Sequence, residues 1–419
     1  MSDLPRLNIH QANRKGATHM ILAILHTAAP AAFNRYTLTY TSPIPLRCTV
    51  EYNLSGTPRR EFCYLEAGEE RTFSSYIDAY LNGEAADPGP VVVTAENITA
   101  ETPPRPEAIH LLGFAAEQVP VLARQTYFIE NQRYRVGVEL AWGGGLSCLV
   151  DKHCPVPGLD NLLNSADTGR LVQQSYYGTR KPPYVPGEFM GQSWCYNPVQ
   201  GGDRGNFKSK LIDTRVSEGE IYVKCRPRDW GQNGGDTYSY MENTYRLDGD
   251  CLVVDNRFVD FSGWEHPVAS QELPAFYTVS YLANYYYYDG DRPWTGDTLS
   301  HRDNLPFWPT DWPACTFPVR PGNTETWAAF VDSSLYGLGL YVPDTDRWLA
   351  GRHAFDGSMD PKAGSTNYIA PTRHLRLVSF KPLTYSYLIC AGSLADIRSQ
   401  FAARRGDIDN SALLTYDRQ

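Results

Sequence analysis

The stretch YRVGVELAWGGGLSCLVD, residues 134–151, decides the fold that the sequence predicts. Apolar residues recur at alternate positions in its first part, as expected of a half-buried β-strand. Three glycines, Gly143, Gly144 and Gly145, then interrupt the pattern, and a second apolar segment ends at Asp151. Glycine permits backbone conformations that other residues avoid. The stretch therefore predicts two strands, residues 136–142 and 146–151, joined at a glycine bend.

Similar strand-like segments recur on both sides of this stretch, and turn residues separate them. They predict an all-β fold: an N-terminal β-sandwich, residues 1–118, and a large antiparallel β-domain, residues 119–419. A proline-rich segment, residues 102–106, is the predicted linker. The predicted strands are residues 21–25, 35–40, 46–52, 60–65 and 91–98 in the first domain, and 219–225, 241–246, 251–258, 326–331, 338–341, 375–380 and 385–390 in the second.

One short helix is predicted near the C-terminus. Ser393 occupies an N-cap position with Asp396 three residues later, a combination typical of helix starts. Ile397 and Phe401 follow at helical spacing, and Gly406 marks the end.

Composition excludes several classes of function. The net charge is −9 and no long lysine or arginine cluster occurs, which excludes nucleic acid as the expected partner. No apolar run reaches the length of a membrane span, so no membrane partner is expected. The nine cysteines are odd in number and form no C-x-x-C motif, which favours reduced thiols and a cytoplasmic protein. A homo-oligomer is left open.

A dense series of short polar side chains follows the glycine bend. Buried amides and carboxylates need partners, either in an internal network or in a ligand. Hydroxyls, amides, acids and aromatic rings together suit a ligand with many hydroxyl groups and apolar faces, which is a sugar. The series comprises Asn161, Asn164, Asp167, Arg170, Gln173, Gln174, Tyr176, Tyr177, Asn197, Gln200 and Asp203.

The second domain resembles the galactose mutarotase-like supersandwich superfamily. The resemblance lies in residues 136–151, two strands around a glycine bend ending in Asp151, followed by Asn161. It implies a large two-sheet β-fold shared by aldose epimerases, several glycoside hydrolases and parts of many polysaccharide lyases. The chain departs from true aldose epimerases because it lacks their His-Pro-Gly segment.

Four acids are the candidate catalytic residues, because glycoside hydrolysis uses two carboxylates. They would lie about 5 Å apart for retention and about 6.5–9.5 Å apart for inversion. Each acid could equally be a solvated or ion-paired structural residue. The four are Asp167, Asp203, Glu242 and Glu272.

Eight further residues are the candidate substrate-binding groups. Arginine can grip a carboxylate with two hydrogen bonds, amides bind hydroxyls, and loop tryptophans stack on sugar faces. Core packing or loop bracing is the alternative role for each. They are Arg170, Gln173, Gln174, Tyr177, Gln200, His266, Trp294 and Asp311.

The predicted activity is hydrolysis of a glycosidic bond in an oligosaccharide or polysaccharide. The alternatives are β-elimination on a uronate with Tyr177 or His266 as base, epimerisation by a converging histidine and glutamate, and sugar binding without catalysis. No transition-metal motif occurs and no cofactor is expected, although Ca²⁺ would fit the acid- and amide-rich loops.

Overall fold

A computed structural model describes residues 7–8, 19–26, 35–54, 57–76, 90–96, 110–117, 126–308 and 313–418. The chain divides into two compact units. The first comprises Met1–Ala123, Val259–Gly263 and Ser379–Lys381, and the second comprises Arg124–Phe258, Trp264–Val378 and Pro382–Gln419. The predicted linker and domain boundary lie outside the described residues. The described parts are mostly strands in antiparallel sheets, so the predicted all-β class is confirmed.

The first unit contains eight described strands in two antiparallel sheets. A five-stranded sheet has the order β1-β2-β7-β4-β5, and a three-stranded sheet has the order β6-β3-β8. Alternate residues of β3, namely Tyr36, Leu38 and Tyr40, are buried, as expected of strands with one face on a core. The strands are β1 Leu7–Asn8, β2 His19–His26, β3 Arg35–Ser42, β4 Leu46–Leu54, β5 Thr57–Leu65, β6 Gly68–Tyr76, β7 Pro90–Glu96 and β8 His110–Glu117.

The second unit begins at β9 and contains most of the chain. Its strands are β9 Thr126–Glu130, β10 Tyr134–Glu139, β11 Gly145–Asp151, β12 Gln173–Ser175, β13 Gly187–Phe189, β14 Gln192–Trp194, β15 Pro198–Val199, β16 Lys210–Ser217, β17 Glu220–Arg226, β18 Arg228–Asp229, β19 Ser239–Asp248, β20 Cys251–Asp260, β21 Val268–Val279, β22 Asn284–Tyr287, β23 Ser300–Arg302, β24 Cys315–Pro318, β25 Trp327–Val331, β26 Tyr336–Tyr341, β27 Arg347–His353, β28 Thr366–Arg376 and β29 Leu383–Ser393.

Two large antiparallel sheets dominate this unit. One has seven strands in the order β18-β15-β12-β21-β28-β27-β24, and the other has nine in the order β16-β17-β19-β20-β29-β26-β25-β22-β23. Phe276 and Ile369 of the first sheet share one buried cluster with Val254, Leu340 and Tyr387 of the second. The sheets therefore pack face to face, and the main core lies between them.

The glycine bend differs from the prediction in one detail. Strand β10 ends at Glu139, and Leu140–Trp142 forms a 3₁₀ turn whose first residues are capped by the Glu139 side chain. Gly143 and Gly144 both have positive φ, and a Cβ on Gly143 would lie 2.1 Å from the carbonyl oxygen of Gln200. Only glycine fits this close approach, so the bend is a packing contact as well as a turn.

The predicted helix is confirmed as α1, Leu394–Arg404. The Ser393 hydroxyl accepts a hydrogen bond from the backbone N–H of Asp396, and Ile397 and Phe401 are buried. A second 3₁₀ turn spans Ser411–Leu414. No helix in the described part of the chain is long and apolar enough to cross a bilayer.

The cysteines depart from the expectation of reduced thiols at one pair. Cys251 on β20 and Cys390 on β29 form a disulfide, because the two strands are neighbours and place these residues side by side. For this pair the expectation was wrong. The other seven cysteines form no disulfide and are buried or half-buried.

Candidate functional site

A cavity of about 480 Å³ lies over the face of the seven-stranded sheet that points away from the main core. Tyr277, Tyr368 and Leu349 line it from β21, β28 and β27. Their neighbours Phe276, Ile369 and Ala350 point the other way, into the core between the sheets. Strand alternation therefore separates a cavity face from a core face on the same three strands.

Glu272 reaches the cavity because β21 is bulged. Glu272 pairs with Thr372 of β28, whereas Phe276 pairs with Ile369, so β21 carries one extra residue between these pairs. Pro274, which has no N–H to donate to the ladder, lies within that bulge. The bulge directs the Glu272 carboxyl group towards Tyr177 and Tyr368, which line the same cavity.

The carboxyl group of Glu272 is buried, and its partners are neutral. Tyr177 donates a hydrogen bond to Oε1 at 3.1 Å, and Tyr368 donates a second, short one to the same oxygen. Burial raises the pKa of Glu272 above its usual range, and hydrogen bonds from Tyr368, Ser175 and Tyr177 oppose that rise in part. Since none of these partners is a cation, the net effect of the site is to shift the carboxyl group towards its protonated form.

The backbone of Tyr177 is fixed by Gln271. The side chain of Gln271 accepts a hydrogen bond from Tyr177 N at 2.7 Å and donates one to Tyr177 O at 2.9 Å. Gln271 is fully buried, and these two of its hydrogen bonds hold the residue that contacts Glu272. The position of Tyr177, just after β12, therefore depends on the adjacent strand β21, which carries Gln271.

Aromatic rings form much of the cavity wall. Phe189 lies between Trp194 and Trp230, with ring centroids 5.0 and 5.7 Å away in edge-to-face arrangements. Trp194 is oriented by a hydrogen bond from its Nε1 to Asn197. Trp308, which is 41% exposed, also lines the cavity. Together these rings offer apolar surfaces near the carboxyl group of Glu272.

An ion pair lies beside the cavity. Arg170 contacts Asp167 at 2.7 Å, and Gly169 between them lines the cavity. The side chain of Gln173 donates to the Thr168 and Gly169 carbonyls and so holds this loop in place. Burial, and to a lesser degree the charge of Arg170, lowers the pKa of His353, a further lining residue. The charge of Asp167 opposes this decrease in pKa, and the net effect is a shift of the imidazole towards its neutral form.

The structure brings together only some of the predicted site residues. Glu272, Tyr177 and Gln173 line the cavity, and the Asp167–Arg170 pair lies beside it. Asp311 lies outside the described residues. His266 lines a second cavity, which shares Tyr177 and Trp194 with the first.

Asp203, Gln200 and Gln174 brace loops and strands. The carboxylate of Asp203 is buried and accepts hydrogen bonds from the backbone N–H groups of Gly205, Phe207 and Gly234. Gln200 joins Gln174 N to the Gly143 carbonyl. Gln174 donates to the carbonyl of Glu242 at 2.9 Å. These hydrogen bonds satisfy the buried polar groups within the protein. The three residues thus take part in an internal network, the alternative to ligand binding that the sequence left open.

Glu242 and Trp294 lie elsewhere in the unit. Glu242 is on the face of the nine-stranded sheet opposite to its core neighbours Met241 and Tyr245. Although burial alone would raise the pKa of Glu242, the charges of Lys224 and Arg257 hold it below the ordinary value. Trp294 packs edge-on against Tyr341 at 5.7 Å, in the cluster that receives α1.

Sequence reasoning missed Tyr368, Gln271 and Tyr277. Each lies in a strand with no unusual local pattern, so nothing in the sequence distinguishes it from a packing residue. Trp194 and Trp230 were also missed, although Trp194 follows and Trp230 precedes a polar, glycine-bearing segment of the kind that carries binding residues. In the described residues no group of three or more His, Cys, Asp or Glu side chains is placed to hold a metal ion.

Several solved structures are similar in fold. A putative aldose 1-epimerase from Escherichia coli K12 has a TM-score of 0.38 and 12% identity over 64% of this chain and 98% of its own. A galactose mutarotase-like protein from Lactobacillus casei has a TM-score of 0.37 and 11% identity over 64% of this chain and 99% of its own. An α-galactosidase from Lactobacillus brevis has a TM-score of 0.37 and 8% identity over 65% of this chain and 40% of its own.

The first two structures carry the names of the group that the sequence resembles. No family model and no curated protein matches the chain. Since every TM-score quoted is below 0.5, these similarities carry no inference about activity, which has to come from the chemistry of the cavity.

Proposed function

We propose that the cavity binds a saccharide unit and that Glu272 donates a proton to an oxygen on its anomeric carbon. The observation that carries this proposal is a carboxyl group held towards its neutral form inside a cavity walled by aromatic rings. A general acid must be protonated at the working pH, and burial is a common means of raising a carboxyl pKa for that task.

The cavity wall supports a sugar as the ligand. Sugar rings expose C–H groups on their faces and hydroxyls at their edges, so they suit a site of aromatic surfaces with a few polar groups. Trp194, Trp230 and Trp308 provide the surfaces. Asn197, Ser175 and Gln173 are polar residues in the same lining.

Interconversion of anomers is the reaction that the described lining supports best. Glu272 is the one carboxyl group among the lining residues that the structure describes, whereas hydrolysis ordinarily uses two. Ring opening needs one acid, which protonates the ring oxygen, and one base, which takes the proton from the anomeric hydroxyl. Rotation and reclosure then return both protons. His353, whose imidazole is in the same lining and has its pKa lowered by burial, is the base that we propose.

Glycoside hydrolysis is the second candidate, and one observation favours it. Burial raises the pKa of Tyr277, and so do the nearby carboxylates of Glu272 and Asp167. The charges of both carboxylates therefore reach Tyr277, which lines the cavity, so two acids are available near the same cavity. In this mechanism Glu272 would protonate the leaving oxygen, and Asp167, released from Arg170, would activate a water or attack the anomeric carbon.

One experiment separates the two candidates. The protein and its Glu272→Gln variant are incubated with free aldoses and with a panel of glycans. Anomer equilibration is followed by polarimetry and NMR, cleavage by new reducing ends, and elimination by absorbance near 235 nm. Faster anomer equilibration that falls about 10²–10⁴-fold in the variant would support the first candidate. New reducing ends lost in the variant would support hydrolysis.

Glu218→Gln is the matched control, because Glu218 is exposed and lies outside the cavity. Its activity should equal that of the unmodified protein. Full activity in Glu272→Gln, on any substrate of the panel, would overturn the role of Glu272. Rising absorbance near 235 nm would instead indicate elimination.

A further inference from the structure

A second cavity of about 550 Å³ adjoins the first. Tyr177 and Trp194 line both cavities, and their rings meet edge to face at 6.5 Å. This aromatic pair therefore borders both the cavity of Glu272 and the second cavity. A chain of linked sugar units that occupied both would pass these two rings.

The wall of the second cavity is ordered and aromatic. Trp264 packs edge-on against Tyr196 at 5.1 Å and against Tyr238 at 5.4 Å. His266 is 2% exposed, and its Nδ1 accepts a hydrogen bond from Thr179 N at 3.1 Å. In the neutral imidazole this places the proton on Nε2, which is a donor.

The second cavity differs from the first by its charge. Arg180 and Lys181 line it and are exposed, whereas the first cavity has no lysine or arginine among its described lining residues. Arg180 and Cys195 both line this cavity. Burial raises the pKa of the Cys195 thiol, and Arg180, close to that thiol, opposes the rise. Glu265 is the acid among the described lining residues, so the two cations exceed it by one charge.

We infer that the second cavity is a subsite for an anionic sugar unit, one that carries a carboxylate or a sulfate group. This inference rests on the proposed function, because it names the class of saccharide that reaches Glu272. An arginine binds such oxyanions through two parallel hydrogen bonds, and a neighbouring lysine adds a point charge. Trp264 offers the apolar face of the unit a stacking surface. The substrate is then an acidic oligosaccharide, with its anionic unit next to the unit in the first cavity.

The test measures binding of a trisaccharide panel in three matched forms: neutral, with a uronate, and with a sulfate ester. Calorimetry with the whole protein should show tighter binding of at least one anionic form than of its neutral partner, by about tenfold. That preference should shrink as NaCl is raised, since the cations are exposed. Comparison of the affinities for the uronate and the sulfate ester shows which of the two anionic groups the second cavity binds more tightly.

A double variant, Arg180→Gln/Lys181→Gln, should bring the anionic-to-neutral affinity ratio close to one. The matched control is Arg320→Gln/Lys362→Gln, which removes two exposed cations outside both cavities. It should keep the ratio of the unmodified protein.

Two results would overturn the inference and leave the proposed function standing. One is equal affinity of the unmodified protein for neutral and anionic forms, which requires no variant. The other is an equal fall of the anionic-to-neutral affinity ratio in both double variants. That result would show that the net charge of the protein, and not the second cavity, produces the preference for anionic forms. Failure of every member of the panel to bind would count against the proposed function itself, and the subsite would fall with it.

Discussion

The phenol of Tyr368 on β28 donates a hydrogen bond to Oε1 of Glu272 on β21, although the two residues are 96 positions apart in the chain. The strands are direct neighbours, and the bulge in β21 turns the carboxyl group onto the face from which Tyr368 projects. Tyr177, which follows β12 by two residues, donates a second hydrogen bond to the same oxygen. The pKa of Glu272 thus depends on burial, which raises it, and on hydrogen bonds from Tyr368, Ser175 and Tyr177, which oppose the rise.

Replacement of Tyr368 by Phe removes a donor that stabilises the ionised form of Glu272. The pKa of Glu272 should therefore rise further, because burial remains while an opposing hydrogen bond is lost. If Glu272 is the acid, the alkaline limb of the pH–rate profile should move to higher pH. The change is measured by NMR titration of the carboxyl carbon. Tyr286→Phe, outside the cavity, is the control, and an unmoved titration in Tyr368→Phe would contradict the assignment.

Gln271→Ala should destabilise the protein by about 1–3 kcal/mol, because it leaves the backbone N–H and C=O of half-buried Tyr177 without their partners. Urea denaturation gives the free energy of unfolding. Gln192→Ala is the control, since Gln192 is exposed on the hairpin, and a change within about 0.5 kcal/mol is expected there. Equal stability of the two variants would show that Gln271 does not hold Tyr177.

Asp229 should make stability depend on pH. Burial raises the pKa of this carboxyl group to about 6, and hydrogen bonds from Tyr184 and Asn197 only partly oppose it. The folded state then binds a proton that the unfolded state releases near pH 4, so the stabilisation is complete at low pH and is lost as pH rises through 6. The difference corresponds to about 3 kcal/mol.

Asp229→Asn should remove that dependence. Unfolding free energies of the variant and the unmodified protein, measured from pH 4 to pH 7, should differ in slope over this interval. Asp160→Asn, at an exposed position, should retain the original slope. Parallel curves for Asp229→Asn and the unmodified protein would contradict the raised pKa.

The Cys251–Cys390 disulfide should stabilise the folded chain. It links residues 139 positions apart, and restriction of so long a loop in the unfolded state is worth about 2–5 kcal/mol. Dithiothreitol should therefore lower Tm. A Cys251→Val/Cys390→Val variant should show no further decrease on addition of the reductant. An identical response in both proteins would place the effect at another cysteine.

Local patterns allowed much of the fold to be predicted. The alternation before the glycine bend predicted β10, and Ser393 with Asp396 predicted the start of α1, because a strand face and a helix cap depend on residues close in sequence. Leu140–Trp142 was predicted as strand and forms a turn, since Glu139 caps it from within the same segment.

Local patterns could not separate the candidate acids. Asp203, Glu242 and Glu272 all stand in polar or alternating segments, yet their partners differ completely: three backbone amides for Asp203, two cations for Glu242, two phenols for Glu272. These partners decide the role of each acid: Asp203 braces a loop, Glu242 forms ion pairs on a sheet surface, and Glu272 faces a cavity. No residue near Glu272 in the sequence indicates Tyr368.

The sequence by itself determined the all-β class of the described residues and the helix near the C-terminus, because side-chain periodicity, turn residues and helix caps act within a few residues. Tertiary structure alone decided that Glu272 meets Tyr177 and Tyr368 in a cavity and that Cys251 meets Cys390. These contacts depend on strand order, on register and on a single-residue bulge, which bring together side chains that are about a hundred positions or more apart in the sequence.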